Sequence, residues 1–391
     1  MEVMTRDSPA TLPLPTLLSQ ALVAFIIEFD NEFEHQAPHR TTRFGATLGW
    51  RRPPFLVSMV MWAKLFRFIP EEGITIGELL RVSGIPVADL RPLLIRVSRW
   101  WSYVTVEAVA EKSERSEPSK AQVKTRSTRA SKAGWLIRPT PGGRKALEVW
   151  QPLTAVIERR WDERFGKSRI DSLRKSLGVL TGRLDAALPS FLPILGYGLC
   201  TRRSDPAPRS PAAGNSTFDN SLPALLSKTL LAFALEFETE SEVSLAICAN
   251  VLRLTGEDGA SVRDLPRRAG ISKEAVAMAL SFLSKRGFAA VRSLSRTKHL
   301  VLTAKGQTAR NAYFRLVHEN EEGWRQRCGE DAIGALREPL EYLIGDGTAN
   351  ASPLSRGLEP YPDCWRAAVA NLETLPHFPM ILHRGGYPDG S

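Results

Sequence analysis

The sequence predicts a mainly α fold with small β-hairpins (α+β), built as two copies of one unit, and three observations predict it. "LPTLLSQALVAFIIEFDNE" (Leu14 to Glu32) aligns without gaps to "LPALLSKTLLAFALEFETE" (Leu222 to Glu240), with 11 of 19 positions identical, so the chain is an internal duplication. Ser261 to Gly306 runs helix, turn, helix, hairpin. "LTAKG" (Leu302 to Gly306) leaves the hairpin for a new helix, and Thr140, Gly143 and Arg144 repeat that exit against Thr303, Gly306 and Gln307. The units are residues 12–200 and 222–391, joined by a Pro- and Ser-rich linker over 201–221.

In the first helix Leu18, Leu22, Phe25, Ile26 and Phe29 recur at three- and four-residue steps, the spacing of an amphipathic helix. Glu28 and Glu32, repeated as Glu236 and Glu240, lie four apart on one face. An ion-paired or solvated face is favoured over a metal or acid–base pair, because no His stands at helical spacing. "HQAPHRTTRFGATLGWRRPPF" (His35 to Phe55) then lengthens half one by about 22 residues. It reads as a surface excursion packed by Trp50, with a lid over a pocket as the alternative.

Ile76, Leu79, Gly84 and Ile85 match Val262, Leu265, Gly270 and Ile271, which starts the second repeated feature. In half two a helix is expected over 262–268, then a turn, then Ser272 as N-cap of a helix through Lys285, stopped by Gly287. Strands follow at 288–291 and 299–302, around a basic tip from Arg292 to Lys298. In half one Pro86 suits a first turn, Pro92 bends the helix, and Trp100 and Trp101 stand opposite Arg286 and Gly287. The half-one hairpin is enlarged again, and Lys112 to Lys145 holds ten Lys or Arg against two Glu. Its Ser, Lys and Arg content predicts a disordered basic tip. Trp161, Gly166, Leu173, Arg174 and Leu177 match Trp324, Gly329, Leu336, Arg337 and Leu340, so the duplication extends through the C-terminal helices. "TANASPLSRGLEPYPDCW" is extra to half two and is expected as a loop covering the opposing half.

Helix, turn, recognition helix and hairpin is the order of a winged helix-turn-helix. With the two "LTAKG"-type exits, the chain resembles the MarR family of bacterial regulators, in a tandem, pseudo-dimeric, actinobacterial-type arrangement. The resemblance implies outer helices that pair the two halves, and a monomer near 43 kDa that acts as a pseudo-dimer on double-stranded DNA. It also implies a small-molecule effector in the cleft between outer helices and winged core. The residues expected at DNA are Arg91 and Arg96 of the first recognition helix, Lys120, Lys124, Arg126, Arg129 and Lys132 of the long wing, and Ser272, Lys273, Arg292, Arg296 and Lys298 of half two. The recognition helices are poor in base-reading side chains, so backbone contact is the stronger expectation. A degenerate winged-helix scaffold that binds protein or a small ligand is the alternative.

A net charge of +10 and a pI near 9.6 favour an anionic partner. The four cysteines are scattered without C-x-x-C spacing, which predicts reduced thiols and no zinc site. The acidic, Pro-bearing start lacks a secretory pattern and no apolar run reaches membrane length, so a cytoplasmic, nucleoid-associated protein is expected. Nucleophile elbow, phosphate loop and dinucleotide fingerprint are missing, His35 and His39 read as loop surface residues, and neither an enzyme nor a cofactor is expected. The Trp-rich half one suits an aromatic ligand or simple core packing equally well.

Overall fold

A computed structural model describes residues 12–37, 57–83, 87–108, 134–184, 188, 217–294, 297–345, 352–368 and 374–378. The insertion before Val57, Lys120, Lys124, Arg126, Arg129 and Lys132 of the basic wing, and most of the linker lie outside these residues.

The described chain is mainly helical, with two small antiparallel sheets. Half one runs α1 (Leu14–Gln36), α2 (Met59–Lys64), β1 (Ile74–Thr75), α3 (Ile76–Ser83), α4 (Val87–Ile95), β2 (Val104–Glu107), β3 (Leu136–Pro139), α5 (Pro141–Phe165) and α6 (Lys167–Arg183). Half two repeats it as α7 (Leu222–Glu240), α8 (Leu245–Leu252), β4 (Ala260–Ser261), α9 (Leu265–Ala269), α10 (Lys273–Lys285), β5 (Ala289–Leu294), β6 (Thr297–Leu302), α11 (Ala304–Cys328) and α12 (Glu330–Ile344). The sheets share one topology, β1-β3-β2 and β4-β6-β5. Among the described residues no helix is long and apolar enough to cross a membrane.

The halves pair through their outer helices in a two-fold pattern. Equivalent helices meet across the axis, α1 on α7 and α6 on α12, and the off-axis contacts come as a related pair, α1 on α12 and α7 on α6. The polar contacts obey the same symmetry. The Leu14 N–H donates to Glu321 Oε2 (2.9 Å), and the equivalent Leu222 N–H donates to Glu158 Oε1 (2.6 Å), so each half caps the other half's first helix.

Helix α1 is buried from Leu14 to Glu34 on every side, so the expected amphipathic helix is the centre of the molecule. Its charges survive burial because each is paired. Glu28 accepts from Trp161 Nε1 (3.0 Å) and from both terminal nitrogens of Arg164. Glu236 repeats this with Trp324 and Arg327. The Met59 N–H donates to Asp30 and the Leu245 N–H to Glu238, capping α2 and α8 alike. The ion-paired reading of the glutamate face therefore holds for Glu28, Glu32 and Glu236.

Half two's extra segment does cover the opposing half. Asn31 Nδ2 donates to Leu358 O, Tyr361 Oη donates to Glu32 Oε2 (2.7 Å), and buried Arg366 pairs with Asp30 and Glu34. The strap packs on α1 and α12, and Glu240 of α7 is exposed where Glu32 of α1, under the strap, is buried.

Three local expectations are corrected. Helix α9 begins at Leu265 and not at Val262, because Pro266 suits a first turn and the Val262 N–H is spent on Lys298 O. The half-two hairpin is longer than expected, so Arg292 and Lys298 sit in strands and not in its tip. The Trp pairing shifts by one. Arg96–Trp100 forms a π turn, which holds one residue more than an α turn. The Tyr103 N–H bonds to Val97 O where the Phe288 N–H bonds to Leu283 O, so Trp101 and Ser102, not Trp100 and Trp101, stand opposite Arg286 and Gly287. Ser102 and Gly287 share a positive φ there, 54° and 74°.

Candidate nucleic-acid interface and anion cleft

Helix α10 opens with Ser272, whose Oγ accepts from the Ala275 N–H at 3.0 Å while the side chain is buried. Ser272 is thereby an N-cap with its hydroxyl occupied, and is not displayed for a base edge. Lys273, the first helical residue, is exposed. Arg292 on β5 and Lys298 on β6 are exposed as well. Register pairs Arg292 with His299 and Ser293 with Lys298, so the two cations leave opposite faces of the hairpin. The helix start and the hairpin of half two thus each carry exposed positive charge.

The equivalent positions in half one carry none of these three cations. The Ile76 N–H bonds to Trp135 O as the Val262 N–H bonds to Lys298 O, which makes Trp135 the counterpart of Lys298. Sheet register makes Glu107 the counterpart of Arg292, and the first residues of α4 and α10 make Val87 the counterpart of Lys273. Lys, Arg and Lys are thus Val, Glu and Trp. Val87 is 73% exposed, and with Leu80, Leu94, Ile95 and Trp135 it lines an apolar groove of about 790 Å³. Arg91 is exposed at its rim; the side chain of Arg96 and all of Arg296 fall outside the described residues.

The second site is a cleft of about 500 Å³ between α11, the residue after α8, the chain start and the C-terminal segment. Arg253, Tyr313, Glu321, Arg325, Arg337 and His377 line it. Glu321 is fully engaged, by the Leu14 N–H, by Arg325 (2.7 Å) and by Arg337 (2.6 Å). Arg253 is different. It has no ion-pair partner among the described residues, and its buried Nε has no hydrogen-bond partner. Burial draws its pKa down to about 10 and raises that of Tyr313 to about 12. Burial, with the Arg253 charge nearby, holds His377 down at about 3.

Half one supplies the comparison. Arg67, the counterpart of Arg253, pairs with Asp219 at 3.2 Å, and Asp219 comes from the segment entering α7. The position equivalent to Asp219 at the chain start is Thr11. Arg67 therefore has a carboxylate paired to it, brought by the segment that enters half two, and among the described residues Arg253 has no such ion pair.

Comparison with known proteins finds no matching family model, no curated relative and no similar solved structure. Of the residues expected at DNA, Lys273, Arg292 and Lys298 are exposed on the helix start and hairpin of half two, and Arg91 lies beside the half-one groove. Sequence reading missed Arg253. The signal was present in the aligned repeats, as an Asp in one copy and a Thr in the other.

Proposed function

We propose that this chain is a DNA-binding transcriptional regulator whose two winged helix-turn-helix units work as an intramolecular pseudo-dimer. The observation that carries the reading is the exposed triad Lys273, Arg292 and Lys298 at the helix start and hairpin of half two, in a two-fold paired and strongly basic chain. Among the described residues its candidate phosphate contacts lie in half two, and the basic wing of half one, outside the described residues, would add to them. The cleft at Arg253 is its effector site, and the ligand class is a small organic anion, since the Asp219 carboxylate fills that role beside the equivalent Arg67. Fluorescence anisotropy on a mixed-sequence duplex tests the reading: K273A/R292A/K298A should lose most of the affinity at moderate salt. Equal affinity for the variant would remove half two's surface from DNA.

One observation favours a second reading for half one, that its former DNA face binds an apolar partner. Val87, Glu107 and Trp135 replace the cations, and the resulting groove leaves Val87 in water. Restoring charge with V87K/E107R/W135K separates the readings. If the groove still faces phosphate, affinity for duplex rises; if it serves a partner, duplex affinity stays as it was.

A further inference from the structure

Where the strap crosses the end of α1, three metal-binding side chains meet. His35 stands in the last turn of α1, and Asp363 and Cys364 stand in the strap, more than 300 residues away in sequence. His35 Nδ1 is 3.9 Å from Asp363 Oδ1, and a ligand atom from each of the three residues lies within 4.8 Å of the others. Tetrahedral coordination at about 2.0–2.3 Å sets donors roughly 3.5 Å apart, so small side-chain rotations close the remaining distance.

We propose that His35, Asp363 and Cys364 form a site for a zinc-class divalent ion that fastens the strap of half two to helix α1 of half one. The donor chemistry selects the metal. Imidazole nitrogen and thiolate sulfur beside one carboxylate suit Zn²⁺, whereas Mg²⁺ and Ca²⁺ take oxygen. A neutral imidazole, a carboxylate and a thiolate together balance a charge of +2, with the thiol proton released to solvent on binding. The imidazole is already oriented. Its ring stacks on Tyr361 at 3.9 Å and 9°, and Tyr361 is held in turn by its hydrogen bond to Glu32. The stack fixes the plane of the imidazole ring. Three protein donors leave one position for solvent. The strap carries a second anchor that does not depend on the metal, Arg366 on Asp30 and Glu34, so the ion adds a fastening at the free edge without being needed for the fold.

Cobalt(II) is the probe, because a tetrahedral thiolate site gives strong visible bands and a near-ultraviolet thiolate-to-metal band. Chelator-treated full-length protein titrated with cobalt should develop both bands at one equivalent, and zinc should bleach them. Cys364→Ser should abolish the thiolate band with an unchanged circular dichroism spectrum. Tyr361→Ala, which removes the stacked ring together with its hydrogen bond to Glu32, should weaken zinc binding roughly 10-fold, and Tyr361→Phe, which keeps the ring and loses only the hydrogen bond, should weaken it less. Absence of a thiolate band in the wild type would overturn the proposal, as would its persistence in Cys364→Ser or unaltered zinc affinity in His35→Gln.

Discussion

Glu321 joins the two halves, and replacing it with Gln isolates what its charge contributes. The carboxylate is 6% exposed and takes the Leu14 N–H of half one at 2.9 Å, Arg325 at 2.7 Å and Arg337 at 2.6 Å. Gln keeps the shape and can still accept from Leu14, but it leaves Arg337, 12% exposed, with only Glu341 as a carboxylate partner. Breaking a buried pair costs about 3–5 kcal/mol, and the surviving partners of both arginines set the expectation near the lower end, about 3 kcal/mol. Glu158→Gln makes the matched comparison. Burial raises the Glu158 pKa, its arginine contact is longer at 3.5 Å, and Arg174 retains Asp171 at 2.9 Å, so its loss should be about 1 kcal/mol. Urea unfolding followed by circular dichroism measures both. A Glu321→Gln cost below that of Glu158→Gln would refute this account of the pairing between halves.

Two further outcomes follow from local geometry. Gly143 and Gly306 lie in the first turns of α5 and α11, so close to the residue that leads into β2 or β5 that a Cβ would meet the carbonyl oxygen of Tyr103 or Phe288. Gly306→Ala should therefore cost about 3 kcal/mol despite the better helix propensity of Ala, whereas Gly334→Ala, which meets nothing, should gain up to about 1 kcal/mol by the same unfolding assay. His377 has its pKa lowered from 6.5 to about 3, so the folded state binds its proton less readily than the unfolded state. Its stabilising contribution is complete above pH 6.5 and is lost as pH falls toward 3, with a slope of at most about 1.4 kcal/mol per pH unit. His377→Gln should flatten the melting temperature against pH over that window; an unchanged profile would count against the burial of this ring.

The repeat, the hairpin exits and the N-cap at Ser272 were legible in the sequence, because local backbone chemistry and identical residues carry them. The all-round burial of α1 was not. Its glutamates look like a wet face until Arg164 reaches Glu28, Arg160 reaches Glu32 (2.8 Å) and Arg366 reaches Glu34, each from a distant segment. The π turn was hidden too, since one additional residue leaves the flanking apolar positions readable in either register. Of the candidate DNA surface, Lys273, Arg292 and Lys298 could be named from sequence. The loss of the equivalent charge in half one needed the sheet register to align Trp135 with Lys298 and Glu107 with Arg292. Arg253 stood out only once the fold had brought Asp219 to its counterpart.

The most direct measurement is the salt dependence of duplex binding for the wild type and for K273A/R292A/K298A. Each phosphate contact contributes about 0.9 to the slope of log affinity against log salt, so three lost contacts should lower its magnitude by about 2.7. Across a four-fold rise in salt, the variant's affinity should then fall roughly 40-fold less than that of the wild type. Parallel lines for the two proteins, or no wild-type binding at low salt, would contradict a DNA-contacting surface at half two.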